Sequence, residues 1–197
     1  MTRILLVRHG QSEWNATGRW QGQADPPLTD LGRQQALSAA ANVGAVDGIF
    51  ASPLIRAHHT AHVISEQLGV GPVALLDGLM ERDAGLWSGL TKPEIEHGWP
   101  GYLASGKRPP GYESDASILE RVRPALHAIA TVHPGGDVLA LTHGGVIHTI
   151  SHSLGLETPS MPNLGSRWLE VRRDGEIVGG STFQLISDEL ATVPGQI

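Results

Sequence analysis

Ile4-Leu5-Leu6-Val7-Arg8-His9-Gly10 stands near the start of the chain, and Val138-Leu139-Ala140-Leu141-Thr142-His143-Gly144-Gly145 repeats its pattern far downstream. Each is a short apolar run that ends in His-Gly. A strand that is apolar on both sides of its pleat belongs in a parallel sheet covered on both faces. Ligands in open α/β sheets bind beyond the carboxyl ends of such strands. If the two strands are neighbours, two imidazoles and the Arg8 guanidinium converge at one sheet edge. That arrangement suits an anion and nucleophilic chemistry. An arginine closing a buried strand is costly unless an anion or a carboxylate pairs with it. A neutral imidazole at the same edge is a good nucleophile towards phosphorus, although a core histidine bonded to backbone is the plainer reading of His9 taken alone.

Outward from these strands, the pattern alternates. Residues 3–8 read as a strand and residues 10–27 as a polar loop. Thr29 is a plausible N-cap for a helix over 30–43. A strand is expected at 48–51, and Ser52-Pro53 reads as N-cap and first residue of a helix that Gly69 stops. Another strand is expected at 73–76. Residues 78–113 hold seven glycines and four prolines, and so long an irregular stretch reads as a lid or binding loop. A helix over 115–132 follows, with Pro124 expected to kink or break it. The strand at 137–142 leads into a helix over 145–154, and segments 168–171 and 176–178 read as a terminal hairpin. Strands alternating with helices imply a three-layer α/β/α sandwich on a mainly parallel sheet. Its expected extent is a single domain over 1–197, with 78–113 as the specificity segment.

At 197 residues, with 40% hydrophobic and 17% charged residues, one α/β domain with a sizeable core is affordable. The chain has no cysteine, which removes disulfides, thiolate metal sites and a cysteine nucleophile. The first apolar run is too short for a signal peptide, and no segment approaches the roughly 20 apolar residues of a membrane helix. A cytoplasmic location is therefore expected. The formal net charge of −6 speaks against nucleic acid as a partner. An anionic substrate then needs a local cluster of positive groups.

Arg56 supplies one such group. It falls in the first turn of its helix, where positive charge is unfavourable unless an anion sits between it and the free N–H groups. A surface arginine is the alternative. His143 precedes two glycines that permit close backbone approach to a ligand. Together with Arg8 and His9, these groups would surround a phosphoryl group with donors, the main source of catalysis in phosphoryl transfer. A proton donor for the leaving oxygen is also needed. Glu81 and Asp83 are the competitors, and the residues alone leave the choice open. His58/His62 and His148/His152 have metal-ligand spacing on a helix, but no nearby Glu completes a zincin pattern. Trp14, Trp20, Trp87 and Trp99 could line a cleft or fill the core.

In combination, these stretches resemble the histidine phosphatase superfamily, the phosphoglycerate mutase-like fold. The match comprises Leu5 to Asn15, Gly18-Arg-Trp-Gln21-Gly22, Pro27-Leu-Thr-x-x-Gly32, Ser52-Pro-Leu-x-Arg56, Glu81-Arg-x-x-Gly85-x-Trp87-x-Gly89 and Thr142-His143-Gly-Gly-Val-Ile. The resemblance implies that His9 forms a phosphohistidine. It implies that Arg8, Arg56 and His143 hold the phosphoryl group, with Asn15, Gln21, Gly22 and Gly144 beside it. It makes Glu81 the proton donor, and it implies no metal or other cofactor.

Within that family the chain is more similar to the phosphatases than to the mutases. Gly144-Gly145-Val146-Ile147 follows the second histidine where mutases carry Gly-Asn-Ser. Ala84 stands where mutases have Tyr, and Lys107-Arg108 only approximates their carboxylate-binding Arg pair. His148 and Gly111-Tyr112-Glu113-Ser114 depart from the common phosphatase pattern near the expected mouth of the site. The expectation is a metal-independent hydrolase of small-molecule phosphomonoesters, monomeric or homodimeric. The alternatives are a cofactor-dependent phosphoglycerate mutase and a non-catalytic phospho-ligand binding protein.

Overall fold

The structure is a computed structural model that describes residues 1–194; the last three residues of the expected domain lie outside the described residues. In chain order the elements are β1 (Thr2–Arg8), α1 (Glu13–Ala16), α2 (Asp30–Val43), β2 (Gly48–Ala51), α3 (Ile55–Leu68) and β3 (Ala74–Leu75). There follow α4 (Lys92–Gly98), α5 (Tyr102–Ser105), α6 (Asp115–Val132), β4 (Asp137–Thr142), α7 (Gly144–Ser153), β5 (Gly165–Val171) and β6 (Ile177–Gln184). The six strands form one sheet in the order β3-β2-β4-β1-β5-β6. Strands β3, β2, β4 and β1 run parallel, while β5 and β6 add an antiparallel hairpin at one side.

The two His-Gly strands are neighbours. Strands β1 and β4 pair in parallel, with Arg8 opposite Thr142, and the His9 N–H donates to the Thr142 carbonyl at 3.1 Å. Their apolar runs serve both faces of the sheet, as period-two alternation requires. On one face Ile4, Leu6, Val138 and Ala140 pack with Ile118, Val122, Leu126 and Ile129 of α6 and with Val146, Ile147 and Ile150 of α7. On the other, Leu5, Val7, Leu139 and Leu141 pack with Ala39, Ala40 and Val43 of α2 and with Ala57, Ala61 and Ile64 of α3. Helix layers on both sides of a mixed, mainly parallel sheet give the expected three layers.

Several local expectations need correction. The N-cap of α3 is Leu54, without a side-chain cap bond, rather than Ser52. The Asp25 carboxylate accepts from the Ile55 N–H at 2.6 Å, so a carboxylate 30 residues upstream caps the helix and frees Ser52. Pro124 does not break α6, which runs unbroken over 18 residues. Pro124 and Glu120 are both exposed, so the Glu120 carbonyl that loses its N–H donor faces water while the opposite apolar face stays packed. The polar loop after β1 contains α1, which Ser12 and Asn15 close as a capping box. Segment 78–113 carries α4, with the Thr91/Glu94 capping box and Pro93 in its first turn, and α5. Strand β6 extends to Gln184, well past the expected 178.

Candidate active site

The carboxyl ends of β1 and β4 deliver Arg8, His9 and His143 to one point. All three are buried, at 3%, 1% and 0% exposure, and Arg56 joins them at 0%. The His9 and His143 rings lie edge to face, with centroids 5.1 Å apart. Arg56 Nε lies 3.3 Å from His9 Nε2. Because guanidinium can only donate, Nε2 is the acceptor and carries the lone pair. The proton of the neutral ring is then on Nδ1, which donates to the Gly10 carbonyl at 2.6 Å. Burial, followed by the charges of Arg56 and Arg8, holds the His9 pKa well below its ordinary value. His9 is therefore a neutral imidazole with Nε2 turned towards positive charge.

His143 is kept neutral by the same causes, burial first and then Arg56, His9 and Arg8. Its Nε2 meets Ser52 Oγ at 2.8 Å, and Ser52 Oγ also accepts from the Leu54 N–H at 3.3 Å. With Oγ donating to Nε2, the His143 proton sits on Nδ1, an atom with no protein partner. The two arginines are held by carbonyls rather than carboxylates. Arg56 donates to the Ala24 and Gly22 carbonyls at 2.7 and 2.8 Å, and Arg8 Nη1 donates to the Met161 carbonyl. Burial pulls both down to about 10, against the opposing charge of Glu81, so both remain cationic at neutral pH.

The anion expected between Arg56 and the start of its helix is in part the Asp25 carboxylate, which already caps that end. The Arg56 guanidinium turns instead to His9. Glu81 accepts from the Arg82 N–H at 2.8 Å and from the Gly145 N–H, in the first turn of α7, at 3.3 Å. A Cβ on Gly145 would come within 2.4 Å of the Glu81 carboxylate, so only glycine lets that carboxylate approach α7. The competing Asp83 accepts from the Gly85 N–H at 2.8 Å and serves its own turn.

Asn15 and Gln21 are tied together through Ser12. The Ser12 N–H donates to Asn15 Oδ1 at 3.2 Å and Ser12 Oγ donates to Gln21 Oε1 at 2.7 Å. Asn15 Nδ2 keeps no protein partner. Gly22 contributes its carbonyl to Arg56, and Gly144 is the buried first residue of α7. A cavity of about 900 Å³ opens beside these groups, lined among others by Arg8, Asn15, Gln21, Gly22, Glu81 and Gly145, whereas the buried His9, Arg56, His143 and Gly144 are not among its lining residues. Its outer wall includes Trp20, Lys92, Leu103, Arg108, Tyr112 and His148. Nine residues of segment 78–113 border the cavity, Tyr112 and Glu113 among them, as do Ser114 and His148; these four belong to the places where the sequence departs from the common pattern. Arg108 packs over the Trp87 and Tyr112 rings at 5.6 and 5.3 Å. The tryptophans divide: Trp20 lines the cavity, while Trp87 is fully buried against Trp20, Trp99 and Tyr112. His58 and His62 belong to no cluster able to hold a metal ion among the described residues, and His62 lies 3.5 Å from Glu66.

Asn163 is the residue that sequence reasoning missed. Fully buried, its Nδ2 donates to the His9 carbonyl at 2.8 Å and lies 3.3 Å from Asn15 Oδ1. The next residue, Leu164, has φ +57° and donates its N–H to the Arg8 carbonyl at 3.1 Å. A left-handed leucine is costly and persists only where its surroundings impose it. No local pattern signals a contact made across 154 residues.

Comparison with known proteins fits this geometry. A glucosyl-3-phosphoglycerate phosphatase of Mycolicibacterium vanbaalenii is 34% identical, over 88% of this chain and 87% of the relative. A probable phosphoglycerate mutase of Cronobacter sakazakii is 38% identical over 73% and 70% of the two chains. The solved structure of a mycobacterial glucosyl-3-phosphoglycerate phosphatase in complex with VO3 superposes with a TM-score of 0.82 at 30% identity, covering 94% of this chain and 99% of that one. The family model for the histidine phosphatase superfamily, branch 1, matches residues 4–177. The chain belongs to that superfamily.

Proposed function

We propose that the protein is a metal-independent phosphatase of small phosphomonoesters that works through a phosphohistidine on His9. The observation that carries this reading is the state of the His9 ring: neutral, with its Nδ1–H tied to the Gly10 carbonyl and its Nε2 lone pair against Arg56. In the first step Nε2 attacks phosphorus, the bond from phosphorus to the ester oxygen breaks, and Glu81 gives its proton to that oxygen. In the second, Glu81 takes a proton from water, the oxygen attacks phosphorus and the P–N bond breaks. Inorganic phosphate leaves and His9 is restored. Arg8, Arg56, His143 Nδ1–H and Asn15 Nδ2 donate to the equatorial oxygens as charge develops, while Gln21 and Ser12 keep Asn15 in place. Gly22 acts through the carbonyl that holds Arg56, and Gly144 by starting α7 close to the phosphoryl group.

The cavity is far larger than a phosphoryl group, so the leaving alcohol occupies its outer part. Segment 78–113 serves as the lid over it. Lys92 and Arg108 line that part and form no ion pair among the described residues, which favours an alcohol that carries its own negative charge. The reading is tested by measuring phosphate release over a panel of monoesters, together with incubation of 3-phosphoglycerate and its bisphosphate primer. Phosphate release is expected, with a higher kcat/KM for carboxylated esters than for neutral ones, and with turnover abolished in a folded His9→Ala variant. Rapid isomerisation of phosphoglycerate without release would instead identify a mutase.

A further inference from the structure

A second, smaller cavity lies on the other side of His148, a residue that lines both cavities. It measures about 210 Å³, and its wall includes Arg167 of β5, Ser151 of α7, and Thr158, Ser160 and Met161 of the α7–β5 connection. Arg167 is 5% exposed and makes no ion pair with a carboxylate among the described residues. It donates Nη1 to the Gly180 carbonyl at 2.9 Å and Nη2 to the Glu157 carbonyl at 2.6 Å. Those bonds use two of its five N–H groups, and Nε has no partner. Burial lowers its pKa with no nearby carboxylate opposing the shift. A buried cation without a counter-ion is expensive. Two carbonyls fix its orientation without neutralising its charge. The Thr158 and Ser160 hydroxyls make no hydrogen bond among the described residues and stand at the same wall, able to donate. The Ser151 hydroxyl is already committed to the Ile147 carbonyl at 2.6 Å.

We propose that this cavity is a second anion site, separate from the phosphoryl pocket, which binds a small oxyanion of the size of inorganic phosphate on Arg167, Thr158 and Ser160. The site does not depend on the phosphatase reading. If that reading holds, the reaction's own product is a ligand of the right chemistry. The cavity touches the phosphoryl pocket at two points. His148 lines both, and the Met161 carbonyl in its wall accepts from Arg8 Nη1. Phosphate bound here therefore acts through the position of Arg8 and not by occupying the phosphoryl pocket.

The test is a titration of the whole protein with inorganic phosphate, followed by backbone amide NMR. Two saturation curves are expected. One is reported by Gly10 and Gly145, and the other by Thr158, Ser160, Met161 and Arg167. Arg167→Gln should weaken the second curve at least tenfold and leave the first. Ser160→Asp, which places a negative charge at an exposed position on the rim and leaves the Arg167 bonds untouched, should do the same and covers the case in which the Arg167 variant does not fold. The proposal is overturned if the second group of amides stays still, or follows the first curve in wild type and in both variants. Movement of the second group alone would instead count against the phosphoryl pocket and leave this site standing.

Discussion

The proposed chemistry rests on His9 Nε2: the Gly10 carbonyl holds the ring's proton on Nδ1, and burial, followed by the charges of Arg56 and Arg8, disfavours a second proton on Nε2. The same burial and repulsion have a stability consequence. His9 and His143 stay neutral in the folded protein but take up protons near pH 6.5 when unfolded. Below that pH the unfolded chain binds more protons, so folding stability falls as pH falls, by up to about 1.4 kcal/mol per pH unit for each imidazole. Urea unfolding at pH 7.5 and 5.5 in buffer without phosphate should show this loss, and His9→Asn should shrink it. Glu81 has a different signature. Glu81→Gln should slow esters of poor leaving groups more than p-nitrophenyl phosphate, whose leaving oxygen hardly needs a proton. Equal losses on both esters would remove Glu81 as the acid. Arg8, His9, Arg56 and His143 were legible in the sequence because each is attached to an element whose pattern can be read. The choice of Glu81 over Asp83 rested on family resemblance. Asn163 was invisible, since nothing local marks an amide that reaches the His9 carbonyl from the far end of the chain.

Elements with strong period were readable to within a residue or two, as β1, α2, β4 and α6 show. Those that rest on caps alone were not. Helix α1 has four residues and no apolar face, and only the Ser12/Asn15 box marks it. Helix α4 was hidden among glycines and prolines, although Thr91-x-x-Glu94 carries a usable capping signal. Pro124 was misjudged because burial was not yet known. On an exposed face the missing hydrogen bond is replaced by water, and the cost is small enough for packing to carry. Pro124→Ala should restore that bond and raise the unfolding free energy by about 1–2 kcal/mol, a gain partly offset by the freer unfolded chain. Phosphatase activity should not change, because Pro124 is exposed and the α6 residues that meet the site are others: Arg121, which braces the Met80, Glu81 and Glu113 segments, and Asp115, which lines the cavity and accepts from Arg82. A denaturation curve and a rate assay on one preparation check both halves.

For the whole molecule, the sheet order sets the site. Neighbouring β1 and β4 bring His9 and His143, 134 positions apart, into ring contact, and the burial of Arg8, His9, Arg56 and His143 makes their charges act more strongly than they would in water. The sequence pattern posed this adjacency as a condition without fixing the order of the strands, and it carried no geometry for the cavity. Concentrated positive charge in the folded state alone predicts ligand-linked stability. Phosphate or vanadate at 100 times its dissociation constant should stabilise the fold by about 2.7 kcal/mol, which for a chain of this size raises Tm by roughly 5–10 °C. Scanning calorimetry across a phosphate series would measure the rise, and a flat Tm would mean that no such charged pocket exists in solution. One last consequence follows from the partners of Arg8 and Arg56. Met161 and Ala24 hold these guanidiniums through peptide carbonyls, which every amino acid possesses. Substitution at either position changes a side chain and leaves the acceptor in the backbone. Heritable variation can therefore explore the rim of the site at these positions while the machinery that holds phosphorus stays the same.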